Sequence, residues 1–259
     1  IAEGHAVTFS AGLAAAGMIP FCNIYSTFMQ RAYDNVIHDV AIQDLPVVMC
    51  LDRGGLVGED GVTHHGAFDM AAFGAVPGLT IAAPMNEPEL RNMMYTALGS
   101  GHPFMIRYPR GHGEGLPWRG EKFETLPVGR GRRLREGADV ALLTVGTVGN
   151  AAARAAGRAA AEGVSVAHYD LRFVKPLDEA LLDEVGRKFR RVVTVEDGSL
   201  RGGVGEAVAA FFNGRGYDVR VQRLGIGDEW VEHGTPGQLY ALCGYDEEGI
   251  LRALLDTRA

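Results

Sequence analysis

Arg107 follows directly on the short apolar run Phe104 to Ile106, Arg53 follows Val47 to Leu51 with Asp52 between, and Tyr25 stands directly after Ile19 to Ile24. If these runs are strands of an open parallel sheet, ligands bind beyond their carboxyl ends. A guanidinium fork at such an exit suits the oxygens of a phosphate. The competing expectation is that both arginines pair with Asp52 or Asp60 as salt bridges on the rim. The segment from Arg53 to Asp69 holds five glycines, two adjacent histidines and three acids in 17 residues. That composition reads as a site loop. A histidine there can exchange protons near neutral pH, as a reaction at a carbonyl or hydroxyl carbon requires. Neighbouring His64 and His65 point apart and the other histidines are scattered, so no metal site is expected. The bland alternative is a surface loop with solvated histidines. Glu3 precedes an Ala-rich helix, where the N-terminal dipole stabilises a carboxylate. In the second half, Gly203-Val-Gly205 lacks the last glycine of a dinucleotide fingerprint and follows its strand at a distance, which argues against a nucleotide site.

These residues need a scaffold. Small residues dominate a helix from Ala6 to Gly17, and Ser26 and Thr27 are good caps for a second that continues through Phe28, Ala32, Val36 and Val40 at helical spacing. Strand character recurs over Leu79 to Ala83, and Glu87 to Leu98 is helical. After the irregular, basic stretch Gly111 to Arg135 the alternation resumes: strands near 140–145, 164–169, 191–195 and 219–224, helices near 150–162, 178–189, 205–212 and 247–255. Strands alternating with helices predict α/β architecture with two consecutive doubly wound domains, 1–117 and 136–259, joined by a linker over 118–135. No repeat of 20 to 50 residues is visible.

Composition sets limits. With 25 Lys+Arg against 32 Asp+Glu among 259 residues, the formal net charge is −7. Nucleic-acid and anionic-membrane partners are not expected for such a balance. No run of about 18 apolar residues is present to span a bilayer. Cys22, Cys50 and Cys243 are far apart without metal-like spacing, the pattern of a reduced, cytoplasmic chain. The chain opens on Ile1 almost directly into a helix, so a longer parent protein is expected.

Four segments carry a resemblance: Ala2-Glu3-Gly4-His5-Ala6-Val7-Thr8-Phe9; Tyr25-Ser-Thr-Phe-Met-Gln-Arg-Ala-Tyr-Asp34; the Asp52 to Asp69 loop; and Arg107-Tyr-Pro-Arg-Gly111. In the second half, Asp170 to Asp178 and Glu196 to Gly205 agree. Together they resemble the 1-deoxy-D-xylulose-5-phosphate synthase family, transketolase-related enzymes dependent on thiamine diphosphate. The resemblance implies a pyrimidine-binding domain followed by a transketolase C-terminal domain. It also implies condensation of pyruvate with glyceraldehyde 3-phosphate with loss of CO2, the first step of non-mevalonate isoprenoid synthesis and a supply for thiamine synthesis. It implies a homodimer, with the diphosphate and Mg2+ held by an N-terminal domain outside this chain, so that these residues alone would be inactive. On the same resemblance Glu3 contacts N1′ of the aminopyrimidine, Phe28 stacks on that ring and Arg31 is a neighbouring polar contact. Tyr25, Arg53, Asp60, His64 and Arg107 fall on substrate positions, His64 able to assist proton transfer. Family members commonly carry Gln at position 4, Ala at 54 and Pro at 62, where this chain has Gly4, Gly54 and Val62. Competing assignments are the β-chain of a 2-oxo-acid dehydrogenase E1, the separately encoded half of a split transketolase, and a non-catalytic α/β scaffold.

Overall fold

The computed structural model describes residues 1–256. Two five-stranded sheets organise them. The first has the order β1 (Phe21–Tyr25), β2 (Val48–Asp52), β4 (Phe104–Arg107), β3 (Thr80–Ala82), β8 (Phe173–Lys175), parallel except for the last pairing. The second has the order β10 (Arg220–Ile226), β9 (Arg191–Ser199), β6 (Val140–Val145), β7 (Val166–Asp170), β5 (Arg132–Arg135), again with only the last pairing antiparallel. The expected α/β class is therefore present in both halves.

The strands that read as unbroken apolar runs are the central ones, because helices cover both faces of a parallel sheet. Side chains alternate across β2: Met49 and Leu51 pack with Val7, Ala11, Val36 and Val40 on one face, and Val48 and Cys50 with Met93 and Phe104 on the other. The same division runs through β6, where Leu142 faces the helices Val148–Ala161 and Glu247–Leu255 while Leu143 faces Glu179–Lys188 and Val204–Gly214. Helix starts follow their caps: Asn86 accepts from Glu89 N–H (3.1 Å), Asp178 from Leu181 N–H (3.1 Å) and Asp246 from Gly249 N–H (2.8 Å).

Three features differ from the sequence pattern. Residues 132–135, expected as linker, form edge strand β5. Strand β8 leaves the second half and pairs with β3 of the first sheet, so the two halves share a sheet. The helical run after β1 changes pitch, from Ser26–Met29 through a 3-10 turn at Gln30–Ala32 and Tyr33–Asn35 to a π-helical turn at Val36–Ala41. Wide turns of that kind concentrate near functional sites.

A buried ion network ties the halves together. Arg172 grips Glu89 through two bonds of 2.9 Å, and Arg132 reaches Glu89 (2.9 Å) and Asp170 (3.1 Å). Beside it, His168 is 1% exposed and its Nε2 lies 2.9 Å from Thr144 Oγ1. Burial, and then the charges of Arg132 and Arg135, push its pKa from 6.5 down to about 4. A native histidine that stays neutral while the unfolded one protonates supplies stability above pH 6.5 that is lost as pH falls toward 4. At about 1.4 kcal/mol per pKa unit, the chain should lose roughly 2 kcal/mol between pH 7 and pH 5 through this residue. Urea unfolding of His168→Gln at both pH values should show a correspondingly smaller difference; an unchanged difference rejects His168 as the cause.

Candidate active site between the two halves

β1, β2 and β4 are consecutive and parallel, so their carboxyl ends open on one edge. Past those ends the chain zips together: Gly54 N–H donates to Tyr108 O (2.9 Å) and Tyr108 N–H to Leu51 O (3.0 Å). Segments 52–54 and 108–110 therefore run side by side. Arg53 takes φ +61°, a left-handed conformation that a long side chain adopts only where surrounding structure imposes it. Its guanidinium lies 3.8 Å from the Tyr25 ring centroid and 2.5 Å from Asp52 Oδ2. The rim ion pair with Asp52 thus exists, yet Arg53 still lines a cleft of about 730 Å3 between the halves, together with Tyr108, Arg110, Asn150 and Tyr240.

From Arg53 a row of side chains leads to Glu3. Tyr25 stacks on Phe28 (centroids 5.3 Å apart, 15° between planes), Arg31 lies 5.0 Å from the Phe28 ring, and Arg31 Nη1 donates to Glu3 Oε1 at 3.1 Å. His64 meets the Phe28 ring edge-on at 5.5 Å and its Nδ1 lies 2.9 Å from Thr63 Oγ1. Glu3 Oε2 is buried and has no hydrogen-bond partner. A lone carboxylate oxygen out of water is costly unless a ligand meets it, so this atom is the site's unfilled acceptor. The place of a Gly4 Cβ is 2.9 Å from Asn35 Oδ1, so a side chain there needs Asn35 to move.

Arg107 corrects the expectation from its place in the sequence. β4 extends through it, so its side chain is 5% exposed and committed: Nε donates to Asp69 Oδ2 (2.8 Å) and Nη2 to Asp197 O (2.9 Å). Asp69 in turn accepts from Ser26 Oγ (2.9 Å). Nε and Nη2 are thus engaged inside the protein, and Arg107 is not among the residues that line the cleft. The arginine that reaches the cleft is Arg110, three residues on, which sequence reasoning passed over; it is exposed and 2.8 Å from Asp60. The signal was present as the second Arg of Arg107-Tyr-Pro-Arg110.

His65 is a buried strut. Val57 N–H donates to its Nδ1 (3.1 Å), which leaves the ring proton on Nε2 to donate to Glu232 O (3.3 Å). The glycines of the Gly202 to Gly205 turn serve an internal carboxylate: Val204 and Gly205 N–H each donate to Glu196 at 2.8 Å. A Cβ at Gly203 would fall 2.5 Å from Glu196 Oε2. The helix N-terminus that a nucleotide phosphate would need is occupied by the protein's own acid.

Residues 1–114 match the transketolase pyrimidine-binding domain and residues 129–250 the transketolase C-terminal domain. The chain belongs to the transketolase family. Among curated relatives it is 60% identical over 257 residues to the 1-deoxy-D-xylulose-5-phosphate synthase of Bacteroides thetaiotaomicron, covering 98% of this chain and 40% of that protein. It is 50% identical over 250 residues to the synthase of Symbiobacterium thermophilum, covering 96% and 38%. The chain thus spans about two-fifths of the length of these relatives. A solved structure described as a split-gene transketolase, an inactive β4 tetramer, superposes with TM-score 0.88 at 28% identity, covering 98% of this chain and 81% of that one.

The family's thiamine diphosphate fits what the residues offer at its pyrimidine end: an unpartnered buried carboxylate oxygen on Glu3, with the Phe28 ring and Arg31 next to it. Mg2+ finds no such place, since among the described residues no cluster of three or more His, Cys, Asp or Glu could hold a metal ion. Nor, among the described residues, is any helix long and apolar enough to cross a membrane.

Proposed function

We propose that this chain is the pyrimidine-binding and C-terminal part of a 1-deoxy-D-xylulose-5-phosphate synthase, condensing pyruvate with D-glyceraldehyde 3-phosphate and releasing CO2. The observation that carries the reading is the row from Glu3 Oε2 to Arg53: an acid at one end and, at the other, paired arginines facing a cleft. Identity of 60% to the synthase against 28% to the split transketolase supports the synthase over its nearest rival.

When bound, thiamine diphosphate supplies the carbon nucleophile and the electron sink of the reaction. Glu3 holds a proton against the ring nitrogen N1′ through Oε2, with Arg31 fixing the other oxygen. Phe28 and Tyr25 give the pyrimidine an apolar wall and keep water from it. His64, anchored by Thr63 and edge-on to Phe28, is placed to pass a proton to the aldehyde oxygen as the carbon–carbon bond forms. Arg53 and Arg110 receive the phosphate, the carboxylates of Asp52 and Asp60 holding their forks in place until it arrives. Mg2+ and the diphosphate are assigned to the remaining length that the relatives have.

Phe9 on the first helix, Met18 and Ile19 beyond its end, and Ile42 just past the π-helical turn are large apolar side chains left exposed (60%, 56%, 42% and 69%). Their exposure supports the homodimer reading, which sedimentation of the chain at micromolar concentration checks. Free, mostly buried cysteines support a cytoplasmic setting. The function itself is tested by supplying pyruvate and glyceraldehyde 3-phosphate, with cofactor and Mg2+, to protein of the relatives' full length. Product and CO2 in equal amounts are expected; absence of both rejects the reading.

A further inference from the structure

The loop that carries Arg53, Asp60 and His64 belongs by sequence to the first domain, yet its fixings are in the second. Leu56 is 1% exposed and packs in the second domain's core with Val193, Val195 and Tyr245. Its N–H donates to Asp197 Oδ1 at 3.0 Å. The same oxygen accepts from Tyr245 Oη (2.8 Å), and Oδ2 accepts from Tyr240 Oη (3.3 Å). The Asp197 carbonyl takes Arg107 Nη2. Asp197 is 4% exposed, so one amide and two phenols are the donors that meet its carboxylate. The approach is close: a Cβ on Gly55 would stand 2.0 Å from Oδ2, and Gly55 already has φ +82°. At the loop's neck Gly55 and Gly66 exchange two backbone bonds (2.8 and 2.7 Å), so displacement at residues 55–56 is transmitted to Arg53 on one side and to the His64 side on the other.

We propose that Asp197 is a positioning residue of the synthase, a second-domain carboxylate that holds the 53–66 loop in register over the cleft and thereby sets affinity for the phosphorylated aldehyde. This rests on the proposed function. The effect passes through Arg53 and the loop, while the Glu3 end of the row is held by Arg31 and the first helix, elements that Asp197 does not touch. Loss of the anchor should therefore weaken the aldehyde phosphate and spare pyruvate. The carboxylate's geometry is what matters: Asn keeps an oxygen for Leu56 and Tyr245 and turns its amide to Tyr240, whose hydroxyl can accept.

The test is steady-state kinetics of protein of the relatives' full length, with both substrates varied. Asp197→Ala should raise KM for glyceraldehyde 3-phosphate about tenfold or more, as loose positioning does, and lower kcat through the displaced His64, with KM for pyruvate changed less than about threefold. Asp197→Asn should stay within about threefold of the parent on all three. A rise shared equally by both substrates, or no rise, overturns the assignment. If Asp197→Ala fails to melt cooperatively, Gly55→Ala, which displaces the loop from its own side, must show the same aldehyde-selective rise, and unchanged constants overturn the proposal. A parent enzyme without turnover removes the synthase reading and this assignment together; a turning-over parent with indifferent variants removes only the assignment.

Discussion

Glu3→Gln is expected to lower kcat by roughly 10²–10⁴-fold, the range of a positioned proton donor, while cofactor binding changes only a few-fold. The argument is local. Gln is isosteric with Glu, and its amide oxygen can still accept from Arg31 in place of Oε1 at the 3.1 Å now observed. Its amide nitrogen then takes the position of Oε2, the atom left buried without a partner. An amide N–H can donate a hydrogen bond to a ring nitrogen, so the pyrimidine keeps its contact. It has no proton to give up, so it cannot support the tautomer on which activation depends. The check is a pair of measurements, kcat with saturating cofactor and calorimetric affinity for the cofactor. Retention of most of the turnover would falsify the role of Glu3, and a parallel collapse of affinity would show that the residue binds and does not activate.

Most of the scaffold was readable because parallel strands buried on both faces leave unbroken apolar runs. β2 and β6 are the clearest, whereas Ser26 and Thr27, expected as caps, lie inside a helix whose N-cap is Tyr25 and that has no side-chain capping bond. What escaped the pattern depends on partners distant in sequence. β8 is three residues long and exists because Phe173–Lys175 finds β3 some ninety positions earlier. β5 is a run of arginines that reads as linker until Asp170 and Glu89 are seen opposite Arg132. In the site, glycine density and adjacent histidines announced the loop, but the sequence could not divide the labour within it. His65 and His64 are neighbours with opposite fates, one buried against Val57 and Glu232 and the other on Phe28. The anchor at Asp197 lies 141 positions from Leu56, beyond any local periodicity. The roles proposed for Glu3 and Phe28 come from resemblance; the orphaned oxygen supplies an independent physical reason for the first.

Arg53→Ala and Arg110→Ala are each expected to raise KM for glyceraldehyde 3-phosphate by roughly 10- to 100-fold, with KM for pyruvate nearly unchanged. One charge-assisted hydrogen bond to a phosphate contributes about 1.5–3 kcal/mol, and each 1.4 kcal/mol is a factor of ten in affinity. Both side chains line the cleft, and both are held by acids that do not bury them, with Arg110 41% exposed. Arg107→Ala should behave differently, although it occupies an equivalent strand exit. Its removal leaves Asp69, 1% exposed, with a buried charge and no countercharge, a loss that typically costs about 3–5 kcal/mol. The Asp197 carbonyl would lose its Arg107 donor as well. A lower melting temperature and poor recovery of folded protein should therefore dominate in Arg107→Ala, whereas the other two variants melt close to the parent. Kinetics and thermal unfolding of the three variants separate the two roles. An aldehyde-selective KM effect in a stably folded Arg107→Ala would return the phosphate to Arg107, and a pyruvate effect equal to the aldehyde effect in Arg53→Ala and Arg110→Ala would remove the phosphate from the cleft.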